Sequence, residues 1–283
     1  MRGRGTSHGA GTIVNAIATG RGAAFGLDLL TEAEVELDSS GEIKVIIEGF
    51  EGEPTALAER CVLNVLNKEA PREGYGATVT TRSQIPISRG LKSSSAAANA
   101  IVLATYQALD KEVEPLRAVR VGTKSAIEAK VSVTGAFDDA CASLLGGVVL
   151  TDNRRESIVR RASLPPGLAA VVHVPSFQVR KQGLPLERIR AVAPAAEAAF
   201  ERARKGHYKE AMLINSLAYA SALGQGLDAM YGALGAGAYA AGLSGTGPAT
   251  VVLCAQENLS AIKALFDPAE VITANIYDPE GEK

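Results

Sequence analysis

The sequence predicts an α+β fold divided into two domains, on three observations. Short apolar runs separated by glycine turns occupy the first fifty residues, which is the pattern of a strand meander. Helical spacing then alternates with single strands through the rest of the chain. A polar run, DNRRESIVRR, and the following LPPG interrupt this pattern between residues 151 and 166. We therefore expect an N-terminal domain over 1–155 and a C-terminal domain over 156–283, which a chain of 283 residues can accommodate.

The N-terminal half is predicted to begin with strands and to continue with helices. The expected strands are 12–18, 23–29, 33–38, 43–49, 76–83 and 148–152. The expected helices are 54–69, 94–109, 115–130 and 136–145. Pro54 and Pro115 suit the first turn of a helix, and the pair Gly146-Gly147 ends the last one.

The C-terminal half alternates the two kinds of element. The expected strands are 168–174, 238–243, 249–255 and 270–276, and the expected helices are 186–204, 207–222 and 257–266. Such alternation is typical of a small ferredoxin-like α+β layer. No low-complexity linker separates the halves, so we expect them to pack together with a site between them.

Composition excludes several classes of function. The net charge is −2, with 29 basic and 31 acidic residues, so neither nucleic acid nor a membrane surface is expected as the main partner. Aromatic residues make up only 5%, which disfavours stacking platforms for single strands. Three widely separated cysteines argue against a disulfide framework and favour a reducing cytoplasm. The basic N-terminus lacks the apolar core of a signal peptide, and no apolar run approaches the roughly 20 residues of a membrane span.

The most informative segment is QIPISRGLKSSSAAAN, residues 84–99, in which a glycine and serine turn opens into an alanine-rich helix. Gly90 allows backbone conformations closed to other residues, and a helix start presents unpaired amides and a positive dipole end to an anion. Lys92 adds a mobile positive charge. The pattern matches neither G-x-x-x-x-G-K-[ST] nor G-x-G-x-x-G. Taken alone, the three serines also fit a simple N-cap.

Two further segments carry chemistry. In GAFDDACASLLGG, residues 135–147, Asp139 precedes Gly146 by seven residues. An aspartate pair at a helix start also fits ordinary capping and compensation of the dipole. The glycine-rich GLSGTGPAT, residues 242–250, lies between two expected strands and by itself fits a hairpin turn.

In their order and separation, these three segments resemble the motifs of the GHMP kinases, the superfamily of galactokinase, homoserine kinase and mevalonate kinase. The opening GAGTIVNAIATGRGAAFGLDL, Lys92 in place of the usual Gly, and SVTGAFDDACAS are similar to the archaeal branch that phosphorylates shikimate. The resemblance implies an N-terminal ribosomal-protein-like α/β domain and a C-terminal ferredoxin-like α+β domain. It also implies ATP-dependent, Mg²⁺-dependent phosphorylation of the 3-hydroxyl of shikimate, in aromatic amino-acid biosynthesis. A homoserine or mevalonate-like acceptor and a non-catalytic nucleotide-binding regulator stay open as alternatives.

The resemblance also assigns roles to residues. The residues expected to bind ATP are Pro86, Ile87, Ser88, Arg89, Gly90, Leu91, Lys92, Ser93, Ser94, Ser95, Ala96, Gly245 and Gly247. Ser94 and Glu128 are expected to hold Mg²⁺, since Glu128 lies eleven residues before Asp139, as in the family. Asp139 is expected to accept or orient the proton of the acceptor hydroxyl, and Asp138 to contact the substrate.

The sequence departs from the family pattern at one point, and the candidate partners of the substrate carboxylate rest on chemistry alone. Several relatives place a Lys near the N-terminus beside the catalytic Asp, whereas GTSHGAGTIVN has none. His8 or Arg21 are possible substitutes, although neither position matches and an isolated His near a terminus is more often merely exposed. Shikimate carries a carboxylate, for which Arg180 and Lys181 are candidate partners, with a solvated face as the alternative. The partner is a small molecule, and the oligomeric state is left open.

Overall fold

The structure is a computed structural model that describes residues 1–87, 89–132, 134–175 and 184–281. The strands are β1 Arg2–Val14, β2 Arg21–Asp38, β3 Ile43–Ile47, β4 Gly76–Ser83, β5 Val148–Asp152, β6 Ser157–Ala162, β7 Leu168–His173, β8 Ala240–Leu243, β9 Thr250–Ala255 and β10 Val271–Asn275. The helices are α1 Ala56–Glu69, α2 Ser93–Ala108, α3 Pro115–Glu128, α4 Phe137–Leu145, α5 Leu186–Ala191, α6 Ala193–Arg204, α7 Tyr208–Leu223, α8 Asp228–Gly235 and α9 Leu259–Lys263. Short 3₁₀ turns lie at Gln256–Asn258 and Pro268–Glu270.

The first sheet is organised around the long strand β2. Within the described chain its strand order is β3-β4-β2-β5-β6, and β1 runs along β2. One edge of β2 is shared, because β4 pairs with residues 31–38 and β5 with residues 21–25. All pairs are antiparallel except β3 with β4. Helices α1, α2 and α3 cover β2 and β4 with a shared apolar core, which confirms the predicted α+β architecture.

The first strands are longer than predicted. The expected strands 23–29 and 33–38 are one strand, β2, and the expected strand 12–18 is replaced by β1, which ends at Val14. The glycines of RGRG gave no strand signal, since glycine is a poor strand former. Here they serve close packing: a Cβ built on Gly3 lies 2.2 Å from the backbone oxygen of Ala104, in α2. The alanine-rich helix therefore lies directly on a glycine strand.

We expect Gly5→Ala to destabilise the fold by about 3 kcal/mol, because overpacking a rigid core carries a cost of this order. A Cβ at Gly5 meets the backbone oxygen of Ala100 at 2.2 Å, and a helix backbone cannot yield as a side chain does. Urea unfolding measures the loss. Gly232→Ala is the control, since it lies in α8 with no atom within 4 Å and should be neutral or mildly stabilising. Equal effects of the two changes would contradict this packing argument.

The second sheet has the order β10-β7-β9-β8 and is antiparallel throughout the described residues. The expected helix 186–204 is two helices, α5 and α6, which meet at Val192; Pro194, in the first turn of α6, lacks the amide that a continuous helix needs. The expected helix 257–266 is only a 3₁₀ turn followed by α9. Helix α8 was not predicted.

The two sheets meet in a common core. The polar run DNRRESIVRR, residues 152–161, was read in the sequence as an interruption, but it contains most of β6, which pairs with β5 and extends the first sheet. The chain therefore passes between the sheets after Ala162, and the predicted boundary at residue 155 falls inside a hairpin. Ile13 and Phe25 share one core cluster with Val172 and Val251, so the division into two domains stays a prediction.

Among the described residues, no helix has the length and apolarity to cross a bilayer.

Candidate active site

The loop between β4 and α2 leads into the first turn of helix α2. Lys92 is the N-cap of α2 in the left-handed region, with φ 67°, and no side chain caps the helix. Ser93, Ser94 and Ser95 are thus the first helical residues and not the cap, so their amides lie in the turn whose N–H groups have no helical acceptor. An uncapped helix start is a binding site for an anion.

The glycine-rich segment 242–250, the third of the three motifs, packs directly on this loop. The hydroxyl of Ser244 donates to the carbonyl oxygen of Gly90 at 2.8 Å, and the amide of Ala249 donates to the carbonyl oxygen of Arg89 at 3.2 Å. Gly90 has φ +89°, and a Cβ there would lie 2.3 Å from the oxygen of Ser244. The segment joins β8 to β9, as a hairpin turn would, and it also contacts the loop that precedes α2.

The end of β1 completes the junction. Asn15 is buried, and its Nδ2 donates to the carbonyl oxygen of Gly245 at 2.9 Å. The amide of Gly245 donates to Oγ1 of Thr12 at 2.8 Å. Three segments far apart in sequence therefore meet at one point, held by hydrogen bonds between backbone and buried side chains.

A cleft of about 590 Å³ opens at this junction. The expected site residues that line it are Ile87, Gly90, Lys92, Ser93, Ser94, Ser95, Asp138, Asp139, Gly245 and Gly247. Pro86, Arg89, Leu91 and Ala96 do not line it, and Leu91 and Ala96 are buried in the core. Ser88, Arg180 and Lys181 lie outside the described residues.

Lys92 places a cation beside Asp139. Its Nζ lies 3.0 Å from Oδ1 of Asp139, with the two side chains only 8% and 14% exposed. A Cβ on Gly245 would lie 3.0 Å from the same Nζ, so the ammonium lies between the third motif and the acid. The two sequence candidates for this role lie elsewhere: His8 stacks on Tyr277, and Arg21 pairs with Glu197.

Asp138 occupies the interior side of the same helix turn. It is 3% exposed, and its Oδ1 accepts a hydrogen bond of 2.8 Å from Nδ2 of Asn153. The amide of Asp138 donates to Oδ1 of Asn153 at 3.2 Å. Burial, and then the neighbouring charge of Asp139, raise the pKa of Asp138 to about 7, against the smaller opposing effects of Lys92 and Asn153.

The predicted Mg²⁺ ligands are not brought together. Ser94 lines the cleft, but Glu128 does not, and its carboxylate accepts a 2.8 Å hydrogen bond from Nδ2 of Asn64. Nζ of Lys124 lies 3.7 Å from the other oxygen of Glu128. Within the described residues no three His, Cys, Asp or Glu side chains form a cluster that could hold a metal ion. In the part of the chain that the structure describes, the cleft thus offers the hydroxyl of Ser94 and no preformed cluster of three such ligands.

Sequence reasoning missed two parts of the site. Part of the cleft lining is formed by the apolar residues Phe50, Pro54 and Leu57, from the loop before α1 and from α1 itself. Their apolar character was visible, but nothing in the sequence separated them from core residues. Asn153 was read only as part of the polar run DNRRESIVRR. A polar residue directly after a buried strand was the available signal.

Comparisons with known proteins agree with this arrangement. Residues 56–147 match the family model for the N-terminal domain of GHMP kinases. Superposed on the homoserine kinase of Cytophaga hutchinsonii, the chain gives a TM-score of 0.75 over 98% of its length and 93% of that structure, at 20% identity. The family model and the fold both indicate the GHMP kinase class.

Relatives at higher identity narrow the assignment of the chain to one family within this class. It is 48% identical to the shikimate kinase of Methanothrix thermoacetophila, over 89% of this chain and 85% of that protein. It is 45% identical to the shikimate kinase of Methanocella arvoryzae, over 100% of this chain and 98% of the relative. The chain belongs to the archaeal shikimate kinase family within the GHMP class.

Proposed function

We propose that this protein transfers the γ-phosphoryl group of ATP to the 3-hydroxyl of shikimate, giving shikimate 3-phosphate and ADP. The observation that carries the proposal is the meeting, in one cleft, of an uncapped helix start with a lysine and two neighbouring carboxyl groups. Phosphoryl transfer requires mainly that the protein position the reactants and neutralise the charge of the phosphates, and these groups supply both. The identity to shikimate kinases supports the choice of acceptor.

The two substrates would contact different parts of the cleft lining. The amides of Ser93, Ser94 and Ser95 and the backbone of Gly245 and Gly247 would hold the triphosphate. The apolar part of the lining, which includes Phe50, suits the adenine base. The acceptor alcohol would lie against Asp138 and Asp139, where Asp139 accepts or orients its proton.

Mg²⁺ supplies charge neutralisation between the phosphates when it is bound with ATP. Ser94 is the described side chain that fits it, because Mg²⁺ commonly takes few protein ligands and completes its shell with phosphate oxygens and water. Glu128 as a second ligand stays a prediction, which Glu128→Gln tests. A rise in the Mg²⁺ concentration needed for half-maximal rate would support it, and an unchanged requirement would exclude it.

Two finer assignments rest on chemistry. Arg180 and Lys181 remain the proposed partners of the shikimate carboxylate, since a guanidinium and an ammonium are its natural ligands. A cytoplasmic location is supported by the three cysteines, all of them buried free thiols.

An assay of ADP release from ATP, with and without shikimate, tests the proposal. We expect release to depend on shikimate, and ³¹P NMR to detect a phosphate monoester on the 3-hydroxyl. Parallel reactions contain homoserine or mevalonate in place of shikimate. Turnover with one of these alone would reassign the acceptor, and binding of ATP without turnover of any alcohol would identify a regulator.

Lys92→Gly is expected to lower kcat at least about tenfold and to lower stability, because it leaves the nearly buried carboxylate of Asp139 without its partner. The change removes the ammonium beside Asp139 but also relieves a non-glycine residue at φ 67°, a conformation that costs on the order of 1 kcal/mol. Asp110→Gly is the matched control, since Asp110 has φ 54° beyond the end of α2 and should change stability alone. Full activity of Lys92→Gly would exclude the ammonium from the reaction.

A further inference from the structure

Resting on the proposed function, we infer that Asn99 is a positioning residue of this kinase, which fixes helix α4 against helix α2 and so sets the distance between Lys92 and Asp139. The two helices carry the two halves of the site, since α2 begins directly after Lys92 and α4 carries Asp139 in its first turn. Asn99 is the last residue of the segment 84–99, and no motif in that segment gives it a role.

Asn99 is a polar side chain in the middle of an alanine-rich helix. It is completely buried, and its neighbours Ala98 and Ala100 are buried too. Its Nδ2 donates to the carbonyl oxygen of Ala140, in α4, at 2.9 Å. Ala140 directly follows Asp139 in the chain. The hydrogen bond therefore holds α4 at the residue next to the acid of the site.

The same amide group reaches strand β1. Nδ2 of Asn99 also donates to Oγ of Ser7, at 3.4 Å. Oγ of Ser7 lies 3.0 Å from both the carbonyl oxygen and Oγ of Ser143, in α4, and the hydroxyl of Ser143 donates to the carbonyl oxygen of His8. Both serines are completely buried. A buried polar network thus joins α2, α4 and β1.

The other end of the Asn99 amide is a cost to the fold. Its Oδ1 accepts no hydrogen bond among the described residues, and a Cβ on Gly122, in α3, would lie 3.5 Å from it. An apolar side chain of similar shape would leave no unpaired polar atom in this core. A buried polar side chain can instead specify how helices fit together, as a single asparagine does in a coiled coil. This is the role that the contacts of Asn99 support.

The placement of the two helices bears directly on the reaction. Nζ of Lys92 lies 3.0 Å from Oδ1 of Asp139, and a shift of α4 along α2 changes this distance. A displacement of about 1 Å in a positioning group can lower a rate by about 10²-fold. The amides of residues 93–95, which would hold the triphosphate, all belong to α2. Loss of the hydrogen bond to Ala140 should therefore reduce turnover and spare the affinity for ATP.

The test is a double-mutant cycle on kcat with shikimate, at saturating ATP and Mg²⁺. Asn99→Leu should lower kcat about tenfold, because it removes the donor to Ala140. In the Lys92→Gly background the same change should lower kcat less than about twofold, because the pair that Asn99 positions is already gone. Equilibrium titration should show that the Kd for ATP is the same with and without Asn99→Leu.

Asn99→Ala is the second variant, and it needs no additional space beside Gly122. It removes the same amide, so its effect on kcat should likewise shrink in the Lys92→Gly background. Urea unfolding shows whether each variant is folded under the conditions of the assay. Failure of both Asn99 variants to fold would assign Asn99 to stability and overturn the inference.

Thr105→Val is the matched control. Thr105 is also completely buried in α2, but its Oγ1 donates to the carbonyl oxygen of Ile101 in the same helix, at 2.7 Å. Its removal frees no second helix, so kcat should equal that of the natural protein.

Two kinetic results would overturn the inference while leaving the proposed function intact. One is a natural kcat in Asn99→Leu, and the other is an equal loss of kcat with and without Lys92. Absence of shikimate phosphorylation by the natural protein would instead refute the proposed function itself.

Discussion

Asp139→Asn is expected to lower kcat by about 10²-fold or more while leaving ATP binding intact. The change removes the charge that holds the Lys92 ammonium at 3.0 Å and weakens the acceptor that orients the hydroxyl. Removal of one preorganised group at a reacting centre commonly costs 10²- to 10³-fold in rate. Steady-state kinetics with shikimate and titration of the variant with ATP measure the two quantities separately.

The matched control is Asp228→Asn, because Asp228 also lies in the first turn of a helix, α8, and is not among the residues lining the cleft. Both changes weaken the interaction of an acid with a helix dipole, which contributes less than about 1 kcal/mol. The control should therefore keep its turnover. A kcat within threefold of the natural value for Asp139→Asn would remove Asp139 from the reaction.

Gly90→Ala should lower kcat/KM for ATP by about 10²-fold. A Cβ at this position meets the carbonyl oxygen of Ser244 at 2.3 Å, and the backbone is at φ +89°, where alanine is strained. The loop can relieve the clash only by moving away from the third motif, which breaks the hydrogen bond from Ser244. A displacement of about 1 Å in a positioning group is enough for a loss of this size.

Gly74→Ala is the control for strain alone, since its φ is +62° and no atom lies within 4 Å of the added Cβ. It should lower stability slightly and leave the affinity for ATP unchanged. If both variants lose affinity equally, backbone strain and not contact with the third motif governs the loop. Equilibrium titration with ATP, alongside thermal unfolding, distinguishes the two cases.

Much of the fold and of the candidate site followed from local sequence. Helices α1 to α4 begin and end within about two residues of prediction, because proline at the start and glycine at the end act through neighbouring residues alone. The three motifs were found because glycine and serine at a helix start have a local physical meaning. The glycine-rich strand β1 was missed, since its stability comes from contact with α2 and not from its own propensity.

By itself, the sequence determined the class of fold. It also made the loop of residues 86–96, Asp138 and Asp139 candidates for the site, and each of these inferences depends on residues close together in the chain. Only the tertiary structure showed that Lys92 pairs with Asp139, that the side chain of Asn153 donates a hydrogen bond to Asp138, and that Glu128 does not line the cleft. These relations join residues 15 or more positions apart or depend on which side of a helix a carboxylate emerges. Spacing along the chain does not encode them, because burial and charge at a site are set by every element that packs around it.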